Sequence, residues 1–240
     1  MRKIQVKKFP LKEYVRRLND REPFSFARYG DGEFLTILGY IGLKNSNGCT
    51  FTQYLCDCLR QVLWNSYPYE HAILRIANRK LGVQIDEFLK EYNIEVDWIH
   101  GDIFLDQSLK GNIFPIIEQL RKYRILYVGP EYCKKLNKLG LINYVDYIVI
   151  PHRNAITQRK QIIRAIKQSI TKNRINFIGY SAGLHAKVFI DDIFKCMSGN
   201  ISQIDFGSMW DGYMKVPSRS YIRRGRLDFN KLLKQNLKIV

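Results

Sequence analysis

No stretch of this sequence approaches the run of roughly 18 apolar residues that a membrane-spanning helix needs. The basic start, Met1 to Lys8, runs into Pro10 and a charged segment, with no apolar core of a secretory signal. These two absences lead to the expectation of a cytoplasmic protein. Cysteine is sparse, and its spacing is irregular: Cys49, Cys56, Cys58, Cys133 and Cys196. An odd number argues against a disulfide framework. Cys56 and Cys58 fall two apart in a helical pattern, where side chains diverge, so a shared metal is not expected and reduced, mostly buried thiols are. Internal repeats, low-complexity tracts and Ser/Gly/Pro-rich linkers are also missing. A single domain over 1–240, with a basic C-terminal extension from about 214, is the simplest organisation.

Acid is the other scarcity. Asp and Glu number 22 against 39 Lys and Arg, a formal charge of +17. Such an excess favours anionic partners: phosphorylated substrates, nucleic acid or an acidic lipid surface. Composition does not choose among them, and a merely solvated basic surface fits as well. With 46% hydrophobic and 25% charged residues, the chain has the make-up of a folded globular protein.

Hydrophobic periodicity predicts helices over Leu11–Asn19, Phe51–Trp64, Ile85–Tyr92, Leu109–Lys122, Glu131–Leu139, Ala155–Thr171 and Leu184–Met197. Phe34–Ile41 is apolar, and Asn230–Leu237 forms a last helix-like stretch. Strands are predicted over Phe24–Tyr29, His71–Ile76, Val96–Ile99, Arg124–Val128, Tyr147–Ile150, Ile175–Gly179 and Ile201–Phe206. Regular alternation over Arg124–Phe206 implies βαβ units. The expected fold is α/β, a Rossmann-like, mainly parallel sheet with helices on both faces. Such sheets bind ligands beyond the carboxyl ends of their strands.

Four polar clusters fall at those ends. Arg28-Tyr29-Gly30-Asp31-Gly32-Glu33 places two carboxylates on a tight turn. Hard cations such as Mg²⁺ or Mn²⁺ take one or two carboxylates plus substrate phosphates, and Arg28 could grip a diphosphate. Acids complementing a helix dipole explain the same spacing. Gly179-Tyr180-Ser181-Ala182-Gly183 makes a strand–turn–helix anion site or a simple cap. It lacks the dinucleotide pattern G-x-G-x-x-G. It has the glycines of a nucleophile elbow around Ser181 but no placed triad partners. Pro151-His152-Arg153-Asn154-Ala155 leads into a basic helix and could touch phosphate or nucleobase. Asp205-Phe206-Gly207-Ser208-Met209-Trp210-Asp211 offers two acids for a sugar hydroxyl or a general base. Together the clusters describe an anionic-ligand site with acids nearby.

Their order resembles the glycosyltransferase family with the GT-D fold, first defined from a domain of unknown function in bacterial adhesin glycosylation. That family reads R-[FY]-G-D-G-E early, then proline-x-x-Asn-Ala, then a Ser-Ala-Gly turn, then I-D-[IVF]-G-[SH]. Here these are Arg28–Glu33, Pro151–Ala155, Ser181–Gly183 and Ile204–Ser208, over a matching span of Phe24–Tyr213. The sequence departs where Gly129-Pro130-Glu131-Tyr132 keeps only Glu131 of an acidic, Arg-containing segment, and where Ser208 replaces a His.

The resemblance implies a metal-assisted glycosyltransferase, in the expected case a hexosyltransferase. It would move sugar from a nucleotide-diphosphate sugar, a UDP-sugar first, to a hydroxyl of a glycan or glycoconjugate. It implies Asp31 and Glu33 as the D-x-E motif for a divalent cation, Mn²⁺ or Mg²⁺. Donor binding falls to Arg28, Tyr29, Gly30, Gly32, Pro151, Arg153, Asn154, Ser181, Ala182, Gly183 and Ser208. The base is open among Asp211, Asp205 and Glu33. A different phosphate-ester enzyme on the same sheet and a nucleic-acid-directed protein, such as a DNA-modifying sugar transferase, are the alternatives. The stretches Arg159–Lys167 and Arg219–Arg226 motivate the second. The same tail would suit docking on the anionic inner face of a membrane.

Overall fold

The computed structural model describes residues 4–45, 48–64 and 70–239. In chain order the elements are β1 (Val6–Lys7), α1 (Leu11–Asn19), β2 (Ser25–Tyr29), α2 (Asp31–Ile37), α3 (Gln53–Trp64), β3 (Glu70–Ile73), α4 (Arg79–Glu91), β4 (Trp98–His100), α5 (Ile103–Leu109), α6 (Phe114–Leu120), β5 (Ile125–Gly129), α7 (Lys135–Lys138), β6 (Tyr144–Val149), α8 (Arg159–Asn173), β7 (Phe177–Tyr180), α9 (Ala186–Met197), β8 (Ser202–Asp205), α10 (Ser220–Arg223) and α11 (Phe229–Leu237). Among the described residues eight strands form one sheet in the order β1-β4-β3-β2-β8-β7-β5-β6, and every pairing between them is parallel. The expected α/β fold is therefore what the chain adopts.

Strand alternation accounts for the layers. Ala27, Tyr29, Leu126, Val128, Ile178 and Tyr180 point into one core, beneath α2, α3, α4, α8 and α9. Their neighbours Phe26, Ile125, Tyr127, Phe177 and Ile204 point into the other, with α1, α5, α6 and α11. A sheet buried on both faces needs apolar residues at nearly every position, which is why these strands read as continuous apolar runs. The segment after Met214 is tied to the second core by α11. There Asn236 is fully buried, donates to Ser108 O (2.8 Å) and accepts from the Ile113 amide (3.1 Å).

Several boundaries differ from those the periodicity predicts. Leu109–Lys122 is not one helix: α5 ends at Leu109, Gly111 takes φ +76°, and α6 restarts with proline in its first turn. The segment Glu131–Leu139 is a 3₁₀ turn, Glu131–Lys134, followed by the short α7. The helix placed at Ile85–Tyr92 starts earlier, at Arg79, because the Asn78 side chain caps the amides of Lys80 and Leu81 (3.0 and 3.3 Å). Among the described residues no helix is long and apolar enough to cross a membrane.

Topology fixes where a ligand can enter. β5 hands the chain outward to edge strand β6, whereas its neighbour β7 hands it the other way, to β8. β2, on the far side of β8, also leads away from it, toward β3. The loops part at the carboxyl ends of these central strands, and a crevice opens there.

Candidate active site at the carboxyl edge of the sheet

The two acids of Asp31-Gly32-Glu33 have different environments. Glu33 is 7% exposed. One of its oxygens accepts the Gly30 amide (2.9 Å), the reach-back of an acid at the third position of a helix. The other accepts the ammonium of Lys187 on α9. That ammonium, 2% exposed, also contacts Asp205 Oδ2 (3.0 Å) and Gly183 O (3.0 Å). Its three protons thus have three oxygen partners, from the start of α2, the end of β8 and the turn before α9. Burial alone would raise the Glu33 carboxyl, but Lys187 and the Gly30 amide outweigh it and hold it below its ordinary value. Burial likewise works against the Lys187 charge, and Asp205 with Glu33 outweighs it, so its pKa is raised.

Asp31, by contrast, is exposed and faces the crevice. Partial burial, then the nearby Glu33 charge, raise its carboxyl, and Arg219 opposes them. Among the described residues no three His, Cys, Asp or Glu side chains converge as a metal-holding group. Between Glu33 and Asp205 the place of a cation is taken by Lys187. Of the D-x-E pair, Asp31 is the carboxylate left open to the crevice, where an ion's further oxygens would have to come from a ligand.

Arg28, 8% exposed, donates from Nη1 to Phe206 O (2.5 Å) and lies 4.0 Å from Asp102. Its buried Nε has no hydrogen-bond partner among the described residues. The turn after β8 is shaped around it. Gly207 has φ +54°, its amide donates to Asp205 Oδ1 (2.9 Å), and a Cβ there would sit 2.8 Å from Arg28 Nη1. Gly207→Ala is expected to cost about 1–3 kcal/mol in denaturant unfolding, from left-handed strain plus displaced Arg28. A loss under about 0.5 kcal/mol would show that the turn absorbs a side chain.

Ser181 serves the same turn. Its hydroxyl donates to Gly207 O (2.8 Å) and pairs with the Tyr127 hydroxyl (2.7 Å), while its amide donates to Val128 O (2.9 Å). Among the described residues no histidine bonds it, so the arrangement is not that of a serine nucleophile. Nor does Ser181 cap α9, which begins at Ala186 after a 3₁₀ turn, Gly183–His185.

Of the mid-chain cluster, Pro151 and His152 line the crevice. Asn154 stands behind its wall, in left-handed conformation (φ 53°), and its Oδ1 accepts from the Thr50 amide (3.1 Å) and Cys49 Sγ (3.3 Å). Arg153 is exposed and lies against Gly48. Tyr29 is buried beneath the site, with its hydroxyl 3.2 Å from His71 Nδ1. Cys49 Sγ lies 3.4 Å from His185 Nε2. Burial raises the thiol, and burial followed by Lys187 lowers the imidazole to about 4. Both groups are neutral at pH 7, so this is no thiolate–imidazolium pair. The thiols otherwise match expectation: all five are free, and Cys196 alone is exposed.

Asp211, 2% exposed, has the opposite character to Glu33. Burial lifts its carboxyl to about 6 against the pull of Ser218, Arg219 and Tyr132. The Tyr132 hydroxyl donates to it at 3.4 Å. Arg219, expected in a surface tail, turns inward: its Nε donates to Ser208 Oγ (2.8 Å). Arg223, Arg224 and Arg226 stay on the surface.

The crevice has two chambers. The larger, about 490 Å³, holds Arg28, Asp31, Lys44, Arg75 and Tyr221. The smaller, about 50 Å³, holds Tyr132, His152, Ala182, His185 and Asp211. Gly183, Gly207, Ser208 and Arg219 line both. Sequence reasoning missed Lys187, Tyr132 and the inward turn of Arg219. Lys187 alone left a signal, as a lysine on the apolar side of α9 among Val188, Phe189 and Ile190.

No protein-family model matches this chain, and no curated protein sequence matches it. Two solved structures do. One is a selenomethionine-substituted structure of domain of unknown function 1792, 17% identical, with a TM-score of 0.63, over 85% of this chain and 79% of that chain. The other is a structure of the same domain, described as having a distinct glycosyltransferase fold, 18% identical, with a TM-score of 0.62 and the same coverage. The likeness is one of fold: this chain has the glycosyltransferase fold described for that domain.

Proposed function

We propose that this chain is a glycosyltransferase that moves a hexose from a nucleoside diphosphate sugar, a UDP-sugar first among them, to a hydroxyl of a glycan or glycoconjugate. The observation that carries the reading is the crevice itself. On a glycosyltransferase fold, at the carboxyl edge of the sheet, an open carboxylate at Asp31 and a buried arginine at Arg28 line one chamber, and a carboxylate with a pKa near neutrality lines the adjoining one. The chemistry runs as one displacement. The acceptor oxygen bonds to the sugar C1, the C1–oxygen bond to the diphosphate breaks, and the electron pair leaves with the diphosphate. Asp211 takes the acceptor proton; Asp205 and Glu33 are held by Lys187 and are poorly placed to do so. Arg28 stands by the developing charge. Asp31 would help to hold Mn²⁺ or Mg²⁺ beside the bound donor, and such an ion would offset the charge of the leaving diphosphate.

The test is a donor panel of UDP-, GDP-, CMP- and dTDP-sugars with and without Mn²⁺, read by thermal shift and nucleotide release. One donor is expected to stabilise the protein and be slowly hydrolysed. Asp31→Asn is expected to lower turnover by about 10²–10³-fold with stability changed by under about 0.5 kcal/mol, since the side chain is exposed. Glu33→Gln is expected to lower both turnover and stability, because Glu33 shares a buried charge. Full turnover in Asp31→Asn sinks the proposed site. No response to any donor, with tight salt-sensitive binding to DNA or RNA, replaces the reading with a nucleic-acid-directed one.

A further inference from the structure

The larger chamber has a charge imbalance that the proposed roles of Asp31 and Arg28 leave unexplained. Lys187 is paired with Glu33 and Asp205. Setting that triad aside, its walls carry Arg28, Lys44, Arg75 and Arg219 against Asp31 and Asp102. With the triad's one net negative charge included, the walls carry five cations against four acids, an excess of positive charge that suits an anionic ligand.

The segment after Met214 supplies the central one. The chain turns at Lys215 (φ 60°), and the Val216 amide bonds Asp211 O (2.9 Å). Ser208 Oγ then accepts Arg219 Nε at 2.8 Å, which fixes the guanidinium on the wall shared by the two chambers. Its charge reaches Asp31 in one chamber and Asp211 in the other, opposing the rise of both carboxyls. Two residues on, Tyr221 lines the larger chamber with a buried hydroxyl that has no hydrogen-bond partner among the described residues, and the charges of Arg219, Asp211 and Arg28 all act on it. Among the described residues the buried Arg28 Nε lacks a partner as well. Unpartnered buried donors beside surplus positive charge are what an oxyanion ligand satisfies.

We infer that the C-terminal segment completes a diphosphate subsite, in which the Arg219 guanidinium and the Tyr221 hydroxyl join Arg28 to hold two linked phosphoryl groups. This rests on the glycosyltransferase reading for its place in the reaction, where the group held is the leaving diphosphate. The binding chemistry stands without it. It also separates the basic tail into two parts: Arg219 belongs to the site, and Arg223 and Arg224 belong to the surface.

Calorimetric titration with inorganic pyrophosphate, UDP and uridine tests the subsite without requiring transfer. The parent is expected to bind pyrophosphate and UDP. Arg219→Ala is expected to weaken both by about 10–100-fold and leave uridine unchanged, with Arg219→Lys in between, since a point charge replaces a forked donor. Tyr221→Phe is expected to weaken both by several-fold. Arg224→Ala and Arg226→Ala, just past the same short helix, serve as surface controls and are expected to bind like the parent. Arg219→Lys and Tyr221→Phe keep the measurement decisive if Arg219→Ala unfolds. Parent-like pyrophosphate and UDP affinity in Arg219→Lys and Tyr221→Phe, or no binding of either ligand by the parent, overturns the inference. Pyrophosphate binding that depends on Arg219, in a protein that transfers no sugar, leaves the subsite standing and removes the glycosyltransferase reading.

Discussion

Asp211→Asn is expected to cut sugar transfer by about 10²–10⁴-fold while leaving the protein at least as stable as its parent. Two consequences of one burial produce this pairing. Asp211 is 2% exposed, and its carboxyl is lifted to about 6 from the ordinary 3.8. A base with a pKa just below neutral pH is ionised at pH 7 yet still holds a proton well, which suits general-base work. In the parent, kcat/KM should therefore rise with pH through about 6 and level off above it, and Asp211→Asn should lack that limb. The stability sign is opposite to that of a paired carboxylate. Between 3.8 and 6 the unfolded chain has lost this proton while the folded chain keeps it, so raising the pH through that window favours unfolding. Above it the full penalty remains, about 3 kcal/mol by the pKa difference. Asn cannot ionise, and its carbonyl can still accept from Tyr132. Urea unfolding should thus show Asp211→Asn gaining about 1–3 kcal/mol over the parent at pH 8 and converging with it near pH 4. Transfer within a few-fold of the parent would remove Asp211 as the base.

The parts of this molecule that could be read from sequence are those whose cause is local. α1 is found at Leu11–Asn19, as periodicity predicts, because one amphipathic turn pattern decides it. The parallel sheet follows from the strict alternation over Arg124–Phe206. β1, only two residues long, has no pattern of its own and exists through pairing with β4. The break at Gly111 was lost inside an otherwise continuous apolar rhythm. The site divides the same way. Asp31, Glu33 and Arg28 sit on one turn and can be seen together. The partner that distinguishes Glu33 from Asp31 lies 154 residues away, and spacing cannot reveal it. Arg219 was read with its arginine-rich neighbours as surface. Its hydrogen bond to Ser208 depends on how the chain turns at Lys215, a left-handed residue that composition does not announce.

Lys187→Met should cost the fold about 3–5 kcal/mol. The methionine fills much the same volume, so the loss is electrostatic. Glu33 and Asp205 would remain buried, at 7% and 1% exposure, with no cation between them. In the parent, Glu33 ionises below its ordinary 4.5, so its contribution is present above that pH and is lost on acidification. Lys187 ionises above its ordinary 10.5, so its contribution is present below that pH and is lost only in strong alkali. The triad therefore stabilises the fold across the whole neutral range. In Lys187→Met the carboxyls would instead be pushed upward by burial and by each other, and acid would relieve them. The gap between variant and parent should narrow as pH falls below about 4.5, where the parent loses what the variant regains. Adding Glu33→Gln and Asp205→Asn to Lys187→Met removes the stranded charges, and about 2 kcal/mol or more should return. Function should not return with it. The ammonium joins the Asp31 turn, the Gly183 turn and the end of β8, and neutral side chains would hold those three pieces only loosely. A single-variant loss below about 1 kcal/mol that does not vary with pH would mean that water, rather than Lys187, solvates these carboxylates.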